Sequence, residues 1–160
     1  MQVYAIRMFN FMRFGERNNS VVFDLSEEQK SQIANETITI DAIYNEVIKD
    51  PLLHVQTVKA RGIETMIGII GKIDGTFDRS NGSGKSTILE SICYSHYEKV
   101  VRKLANTDKE GKAGTTVVTK HNGKYPAGLK ESWVEEIFEE NNKVYRIKRG
   151  RSFTKSHKSS

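Results

Sequence analysis

The sequence lacks the residues that define several classes of protein. Its 160 residues include one cysteine and two prolines. A single cysteine cannot form an internal disulfide, so a disulfide-stabilised secreted scaffold is excluded and we expect an intracellular protein. The longest central apolar run, residues 66–70, is far shorter than the roughly 20 residues that cross a bilayer. The N-terminus alternates and already holds Arg7, unlike a signal peptide. We therefore expect a cytoplasmic protein with no membrane partner.

Acidic residues are absent after Glu140, although the chain carries 25 basic and 20 acidic residues, a formal charge of +5. Residues 143–160 contain seven basic residues, so residues 1–142 carry 18 basic and 20 acidic residues, a net −2. The positive charge therefore belongs to the C-terminal end. This pattern is typical of a solvated basic tail or of a segment that contacts a DNA backbone.

Length and apolar content predict a single domain over residues 1–160. Alternating apolar residues and turn residues predict four strands outside the central motif. They lie at residues 2–9, 21–25, 133–139 and 143–149, and the last two are joined by Glu140, Asn141 and Asn142. Asparagine tolerates the positive φ of a tight hairpin, so we expect these last two strands to pair.

Two segments are predicted to be insertions. Residues 26–62 contain one stretch with helical spacing, residues 41–49, which Asp50 and Pro51 should end. Residues 99–131 are rich in glycine and lysine over most of their length, with a small hairpin predicted near residues 121–123.

The central segment has the order strand, glycine loop, helix. An apolar run at residues 65–70 is typical of a buried, often parallel strand, and it ends at Gly71. A polar loop follows, and then residues 81–87 read Asn-Gly-Ser-Gly-Lys-Ser-Thr. We predict a helix after them with an apolar face made by Ile88, Leu89, Ile92, Cys93 and Tyr97. This order is the one that a phosphate-binding site requires.

Residues 82–87 match the second half of the motif G-x-x-x-x-G-K-[ST]. Small residues let successive backbone N–H groups surround a phosphate, and the helix directs its positive end to the same place. We expect Lys85 to reach the β- and γ-phosphates as the catalytic residue, Ser86 to bind Mg²⁺, and Thr87 to close the α-phosphate side. The predicted ligands are ATP and Mg²⁺, held by Asn81, Gly82, Ser83, Gly84, Lys85, Ser86 and Thr87.

Position 79, where the motif has its first glycine, is Arg79. Either the site is damaged, or the loop is longer than usual, with Gly71 ending the strand and residues 74–80 inserted. The intact residues from Asn81 onward favour the longer loop.

With these motifs the chain resembles the N-terminal part of the SMC-like ATPases, specifically the SbcC-type recombination and double-strand-break repair branch, which includes phage members. The likeness covers about half of the residues. It is carried by residues 10–15 (Asn-Phe-Met-Arg-Phe-Gly), 22–25, 81–92, 133–139 and 143–150. The stretch 81–92 is its most specific part.

The resemblance implies an α/β P-loop NTPase fold: the N-terminal lobe of an ABC-type ATPase head, with a mixed sheet and an N-terminal antiparallel β portion, ending before a coiled coil. It implies a homodimer through the heads, a nuclease subunit as partner, and double-stranded DNA ends as substrate, in the nucleoid or in a host cytoplasm. The family's arginine in the first loop approaches the nucleotide. Met12 occupies that position here, and Arg13 is the candidate substitute.

Motifs of a complete head are missing from the sequence: a Q-loop glutamine, a signature motif, a strand ending in Asp-Glu and a switch histidine. The chain alone should therefore hydrolyse ATP very slowly. Two alternatives stay open. One is a transport-type or other P-loop ATPase subunit, and the other is a non-catalytic DNA-binding module with a vestigial P-loop, which Arg79 supports.

Several other residues are expected to have structural roles. The four histidines share no metal-ligand spacing. Cys93 should be buried on the predicted helix, and Trp133 and Tyr145 should pack across strands rather than stack on bases. The acidic residues Glu135, Glu136, Glu139 and Glu140 are expected to form a solvated sheet face rather than a metal site.

Overall fold

The structure, a computed structural model, describes residues 1–12, 14–15, 19–62, 84–100, 118 and 130–152. The described elements, in chain order, are β1 (Gln2–Phe9), β2 (Ser20–Val22), α1 (Glu27–Ala34), α2 (Ile40–Lys49), α3 (Pro51–Arg61), α4 (Lys85–Tyr97), β3 (Glu131–Glu140) and β4 (Lys143–Ser152). The predicted strand at residues 65–70, the loop after it and the hairpin near residues 121–123 lie outside the described residues.

The described strands form one sheet in the order β2-β1-β3-β4, and every neighbouring pair is antiparallel. The predicted opening strand and its N-terminal antiparallel partner are therefore confirmed. The parallel strand that a mixed sheet needs was predicted at residues 65–70, beyond the part of the chain described here. β2 is shorter than predicted: it ends at Val22, and Asp24 follows at φ 56°, a left-handed conformation that cannot continue a strand.

The predicted C-terminal hairpin is confirmed. β3 and β4 are ten residues each and pair along their whole length. Asn141 and Asn142 join them at φ 50° and 59°, as a two-residue turn with two left-handed positions requires. Gly150 lies opposite Trp133, and a β-carbon at position 150 would collide with the Trp133 side chain. The hairpin therefore depends on a glycine beside its tryptophan.

Residues 26–62 contain three helices rather than the one predicted. Ser26 caps α1 in a reciprocal pair with Gln29, and Thr39 caps α2. α2 ends at Lys49 as expected, but Asp50 and Pro51 also begin α3. Proline fits the first position of a helix because its missing N–H needs no partner there. The Asp50 carboxylate accepts from the N–H of Leu53 in the first turn. The same dipeptide ends one helix and starts another.

The helices pack on opposite faces of the sheet, and each face has its own apolar cluster. On one face, α2 and α3 bury the cluster Tyr4, Ala5, Val22, Ile43, Tyr44, Val47, Val55, Val58 and Ile137. On the other face, α4 buries the cluster Ile6, Met8, Phe11, Phe23, Ile88, Tyr94 and Val134. We call these surfaces the α2–α3 face and the α4 face. The central strands β1 and β3 contribute residues to both.

The buried side of α4 differs from the predicted one. Leu89 and Tyr97 are exposed, at 59% and 70%. The buried residues are Thr87, Ile88, Glu90, Ser91, Tyr94 and Ser95. The prediction was wrong because it assigned the buried side of the helix from apolar residue type alone. Small hydroxyl residues at positions 87, 91 and 95, one turn apart, lie against the sheet instead.

The acidic residues of β3 do not form a solvated face. Glu135 is 4% exposed and Glu136 is fully buried. Because consecutive strand residues point to opposite faces, Glu135 lies on the α2–α3 face and Glu136 on the α4 face. Glu135 accepts two bonds from the Arg146 guanidinium, at 2.9 and 2.6 Å, and one from the Tyr44 hydroxyl at 3.2 Å. Cross-strand pairing and helix packing cover carboxylates that the local sequence assigns to solvent.

Candidate nucleotide-binding site

The predicted site begins where α4 begins. Gly84 precedes the helix in a left-handed conformation, φ 94° and ψ 2°, and no side chain caps it. Its carbonyl accepts from the N–H groups of Thr87 at 2.9 Å and Ile88 at 3.3 Å. By contrast, α1, α2 and α3 each start with a side chain that accepts from the first turn. The start of α4 is therefore organised as a helix terminus that an external anion can complete.

Only glycine fits at position 84. Its φ lies in the region that L-residues rarely adopt, and a β-carbon there would lie 3.0 Å from Cζ of Phe14. Gly84 is itself buried. The backbone thus turns into α4 beneath an aromatic ring, with no side chain between the turn and the ring.

Three predicted site residues follow in the first turn of α4. Lys85 is half-buried, Ser86 is exposed and Thr87 is 2% exposed. The exposed hydroxyl of Ser86 is accessible to a metal ion that arrives with a nucleotide, while Thr87 faces the sheet side of the helix. The remaining predicted residues, Asn81, Gly82, Ser83 and Arg13, and also Arg79, lie outside the described residues.

The chain after β1 forms a tight turn beside this site. We call residues 10–15 the β1–β2 loop. The Asn10 N–H donates to the Gly15 carbonyl at 3.1 Å, and the Phe14 N–H donates to the Phe11 carbonyl at 2.9 Å. Ser132 at the start of β3 donates its hydroxyl to the Asn10 carbonyl at 2.9 Å. The resemblance drew attention to Arg13 in this loop, but the contact with the site that the structure describes is made by Phe14.

The far end of α4 rests on a buried carboxylate. Glu136 accepts from the Ser95 hydroxyl, and its other oxygen lies 3.3 Å from Nε2 of His96. Arg149 donates to the Ser95 carbonyl at 2.7 Å. Burial raises the pKa of Glu136, while the bond from Ser95 and the neighbouring His96 oppose that rise. A signal was present in the sequence: Glu136 shares the alternation of Val134 and Phe138 on one strand face.

The other residues considered for a chemical role are packed within the fold. Cys93 is half-buried, and burial together with the carboxylates of Glu90 and Glu136 raises the pKa of its thiol, so the reactive thiolate is disfavoured. Trp133 stacks on Phe9 at 5.3 Å, and Tyr145 stacks on Phe138 at the same separation, so both predicted cross-strand roles are confirmed. Among the described residues, no group of histidine, cysteine and carboxylates could hold a metal ion.

The basic residues of β4 are largely engaged within the fold. Arg146 pairs with Glu135, whereas Arg149 and Arg151 both contact Glu98 at the end of α4, at 3.8 and 3.0 Å. The Lys148 ammonium lies 3.9 Å from the centre of the Trp133 ring. Much of the positive charge that the sequence concentrates here is therefore matched by acidic or aromatic partners.

The left-handed Gly84 and the helix that follows it with Lys-Ser-Thr are features of a P-loop ATPase. The chain belongs to the AAA domain family, whose profile matches residues 67–160 and so includes the whole motif, α4 and the C-terminal hairpin. Members of this class generally use ATP and Mg²⁺. No curated protein and no solved structure matches the chain significantly. None of the four described helices has the length and apolar character needed to cross a bilayer.

Proposed function

We propose that this chain is the ATP-binding N-terminal lobe of an SMC-like, SbcC-type DNA repair or recombination ATPase head, which acts on DNA ends with a nuclease subunit. The observation that carries nucleotide binding is the start of α4: a left-handed Gly84, no side-chain cap, and Lys85 in the first position. The SMC-like branch is supported by the order of the motifs and by the β1–β2 loop, which lies against Gly84.

In this proposal residues 81–87 surround the nucleotide phosphates. Lys85 neutralises charge on the β- and γ-phosphates, Ser86 holds Mg²⁺, and Arg13 approaches the nucleotide from the β1–β2 loop. Phosphoryl transfer is accelerated by positioning and charge stabilisation, and a residue that orients water is required. We assign that residue to a second lobe and a dimer mate. The lobe alone should bind ATP and turn it over very slowly.

The substitution Lys85→Ala tests the site. Bonds to charged groups contribute about 1.5–3 kcal/mol each, so we expect ATP affinity in Mg²⁺ to fall by about 10- to 100-fold or beyond detection. Titration calorimetry on the full chain measures it. The matched control is Lys49→Ala on α2, where an exposed lysine pairs with Glu46 at 2.7 Å. The control should bind ATP like the unchanged chain.

Other outcomes would overturn the proposal. Unchanged ATP affinity in Lys85→Ala would remove the phosphate site from α4. Turnover by the isolated chain at the rate of a complete enzyme would refute the half-site interpretation. DNA binding with no ATP binding at all would favour the module with a vestigial P-loop.

The DNA partner is a separate part of the proposal. Because Arg146, Arg149 and Arg151 already have acidic partners, we assign the phosphate contacts to the basic tail after β4, with Lys155 and Lys158. Each phosphate contact adds about 0.9 to the slope of log affinity against log salt. Deleting residues 153–160 should therefore lower that slope by about 2. An unchanged slope would favour the alternative that these residues form a solvated tail without DNA contacts.

A further inference from the structure

The ring of Phe14 lies directly against the residue that starts the P-loop helix. Three of its ring carbons lie within 3.0–3.6 Å of the place where a β-carbon of Gly84 would be. Leaving aside Gly84, its chain neighbours and the backbone of its own helix turn, these are the nearest atoms of the described residues to that place. On this side, Gly84 at the start of α4 therefore packs against an aromatic ring.

The loop that carries this ring makes a second contact with the same helix. Phe11 is fully buried, its ring lies 5.2 Å from that of Tyr94, and its backbone bridges to Phe14 and Val118. Tyr94 lies ten residues after Gly84, about 15 Å along the helix axis. Two aromatic residues of one loop thus contact residues near the two ends of α4.

The β1–β2 loop is also hydrogen-bonded to the sheet. Asn10, in a left-handed conformation at φ 50°, donates its side-chain amide to the Glu131 carbonyl at 3.2 Å. Its own carbonyl accepts from Ser132. These bonds join the loop to β3, so the position of the Phe14 ring is set by the sheet. The ring can therefore transmit the geometry of the sheet to the start of α4.

We propose that Phe14 is a positioning residue for the nucleotide site, acting through Gly84. It needs no contact with the nucleotide: its ring holds the start of α4 in the one placement that directs the phosphate-binding N–H groups and Lys85 at the ligand. The inference rests on the proposed function. Binding sites tolerate only about 0.5 Å of displacement, so a gap beside Gly84 lowers affinity by loss of preorganisation.

The first test compares three variants of the full chain by ATP titration well below their unfolding temperatures. Phe14→Ala should weaken ATP binding by about 10-fold, and Phe14→Leu, which keeps most of the volume, should recover most of that loss. The matched control is Phe23→Ala, since Phe23 is a buried aromatic of the same apolar cluster. It should lower the unfolding temperature and leave ATP affinity unchanged. Equal affinity in Phe14→Ala and the unchanged chain would overturn the proposal.

A double-mutant cycle shows whether the effect passes through Gly84. Gly84→Ala meets both the positive φ and the ring in the unchanged chain, but only the φ strain in a Phe14→Ala background. The loss of ATP affinity caused by Gly84→Ala should therefore be smaller in that background. Additive losses would mean that Phe14 acts by another route and would contradict the assignment.

Failure of this inference can be told from failure of the proposed function. If Lys85→Ala abolishes ATP binding while Phe14→Ala binds normally, only the positioning role is lost. If the unchanged chain binds no ATP, amide hydrogen exchange in the first turn of α4 becomes the readout. Faster exchange there in Phe14→Ala than in Phe23→Ala supports the role of the ring, and equal exchange overturns it.

Discussion

The two faces of the sheet are covered by helices of different construction. On the α2–α3 face, every described buried residue of the helices is apolar or aromatic: Ile43, Tyr44, Val47, Val55 and Val58. On the α4 face, four of the six buried helix residues are polar. The helices of the first face cap themselves, and α4 does not. One face therefore supplies stability by apolar burial, while the other buries polar residues of a helix whose start has no side-chain cap.

The same contrast appears in two carboxylates of β3. Glu139 lies on the α2–α3 face, where the Lys59 ammonium and the Tyr4 hydroxyl donate to it, and the bond from Lys59 is the main cause of its lowered pKa. Tyr4 is affected in turn: burial and its bond to Glu139 raise its pKa to about 12. Glu136, three residues earlier on the α4 face, has its pKa raised by burial. One face stabilises a charge, and the other destabilises one.

The largest expected effect is on the α2–α3 face. Ile43 of α2 is 3% exposed in the apolar cluster, so Ile43→Ala should lower the free energy of unfolding by about 2–5 kcal/mol. Urea denaturation measures it. ATP affinity of the folded variant should not change, because α2 lies across the sheet from α4.

Its control on the other face is Leu89→Ala. Leu89 is 59% exposed on α4, so this change should alter the free energy of unfolding by no more than about 0.5 kcal/mol. A loss as large as that of Ile43→Ala would mean that the side of α4 predicted from its apolar residues is buried after all.

An effect smaller than that of Ile43→Ala is expected from Glu136→Gln, and it depends on pH. A carboxyl whose folded pKa is raised stabilises the fold fully below its unfolded pKa, and loses that stabilisation as pH rises through the folded value. The unchanged chain should therefore lose stability relative to the variant as pH increases, by at most about 1.4 kcal/mol per pH unit. Thermal unfolding from pH 4 to pH 9 measures the difference. His96 and Arg149 face the same region, so the series is repeated with His96→Gln, where Glu136 still titrates.

The opposite sign is expected for Glu139→Gln. A lowered folded pKa gives stability that is present above the unfolded pKa and lost as pH falls through the folded value. The unchanged chain should therefore lose its advantage over this variant in acid. Because Glu139 lies near the surface beside a partly exposed lysine, this effect should be the smaller of the two pH effects. Identical pH dependence of stability in the two variants would contradict the proposed difference between the two faces of the sheet.

Local signals predicted the elements whose cause is local. Asn141 and Asn142 marked the hairpin because two left-handed residues in a row favour few residue types. The Gly-Lys-Ser-Thr stretch marked the start of a helix that the structure describes. The predictions that were wrong concern burial: Leu89 and Tyr97 were assigned to the core, and Glu135 and Glu136 to solvent. The burial of a residue depends on which surface packs against it, and a short stretch of sequence contains only one of the two surfaces.

The insertion shows the same limit. Helix spacing indicated α2, whereas α1 has no buried residue and little apolar periodicity to reveal it. α3 was not predicted because Pro51, its first residue, was interpreted only as the end of the preceding helix. Capping at Ser26 and Asp50 is a local signal that could have found both helices, since each accepts from an N–H in the first turn.

The sequence by itself determined the phosphate motif, the P-loop ATPase class and the hairpin turn at Asn141 and Asn142, because these depend on backbone requirements of single residues and on short spacings. Only the tertiary structure decided that Glu136 supports the far end of the P-loop helix and that Phe14, about seventy positions away, lies against Gly84. Contacts between distant segments arise when two faces pack. The energy of such a contact depends on both segments, so neither segment predicts it alone.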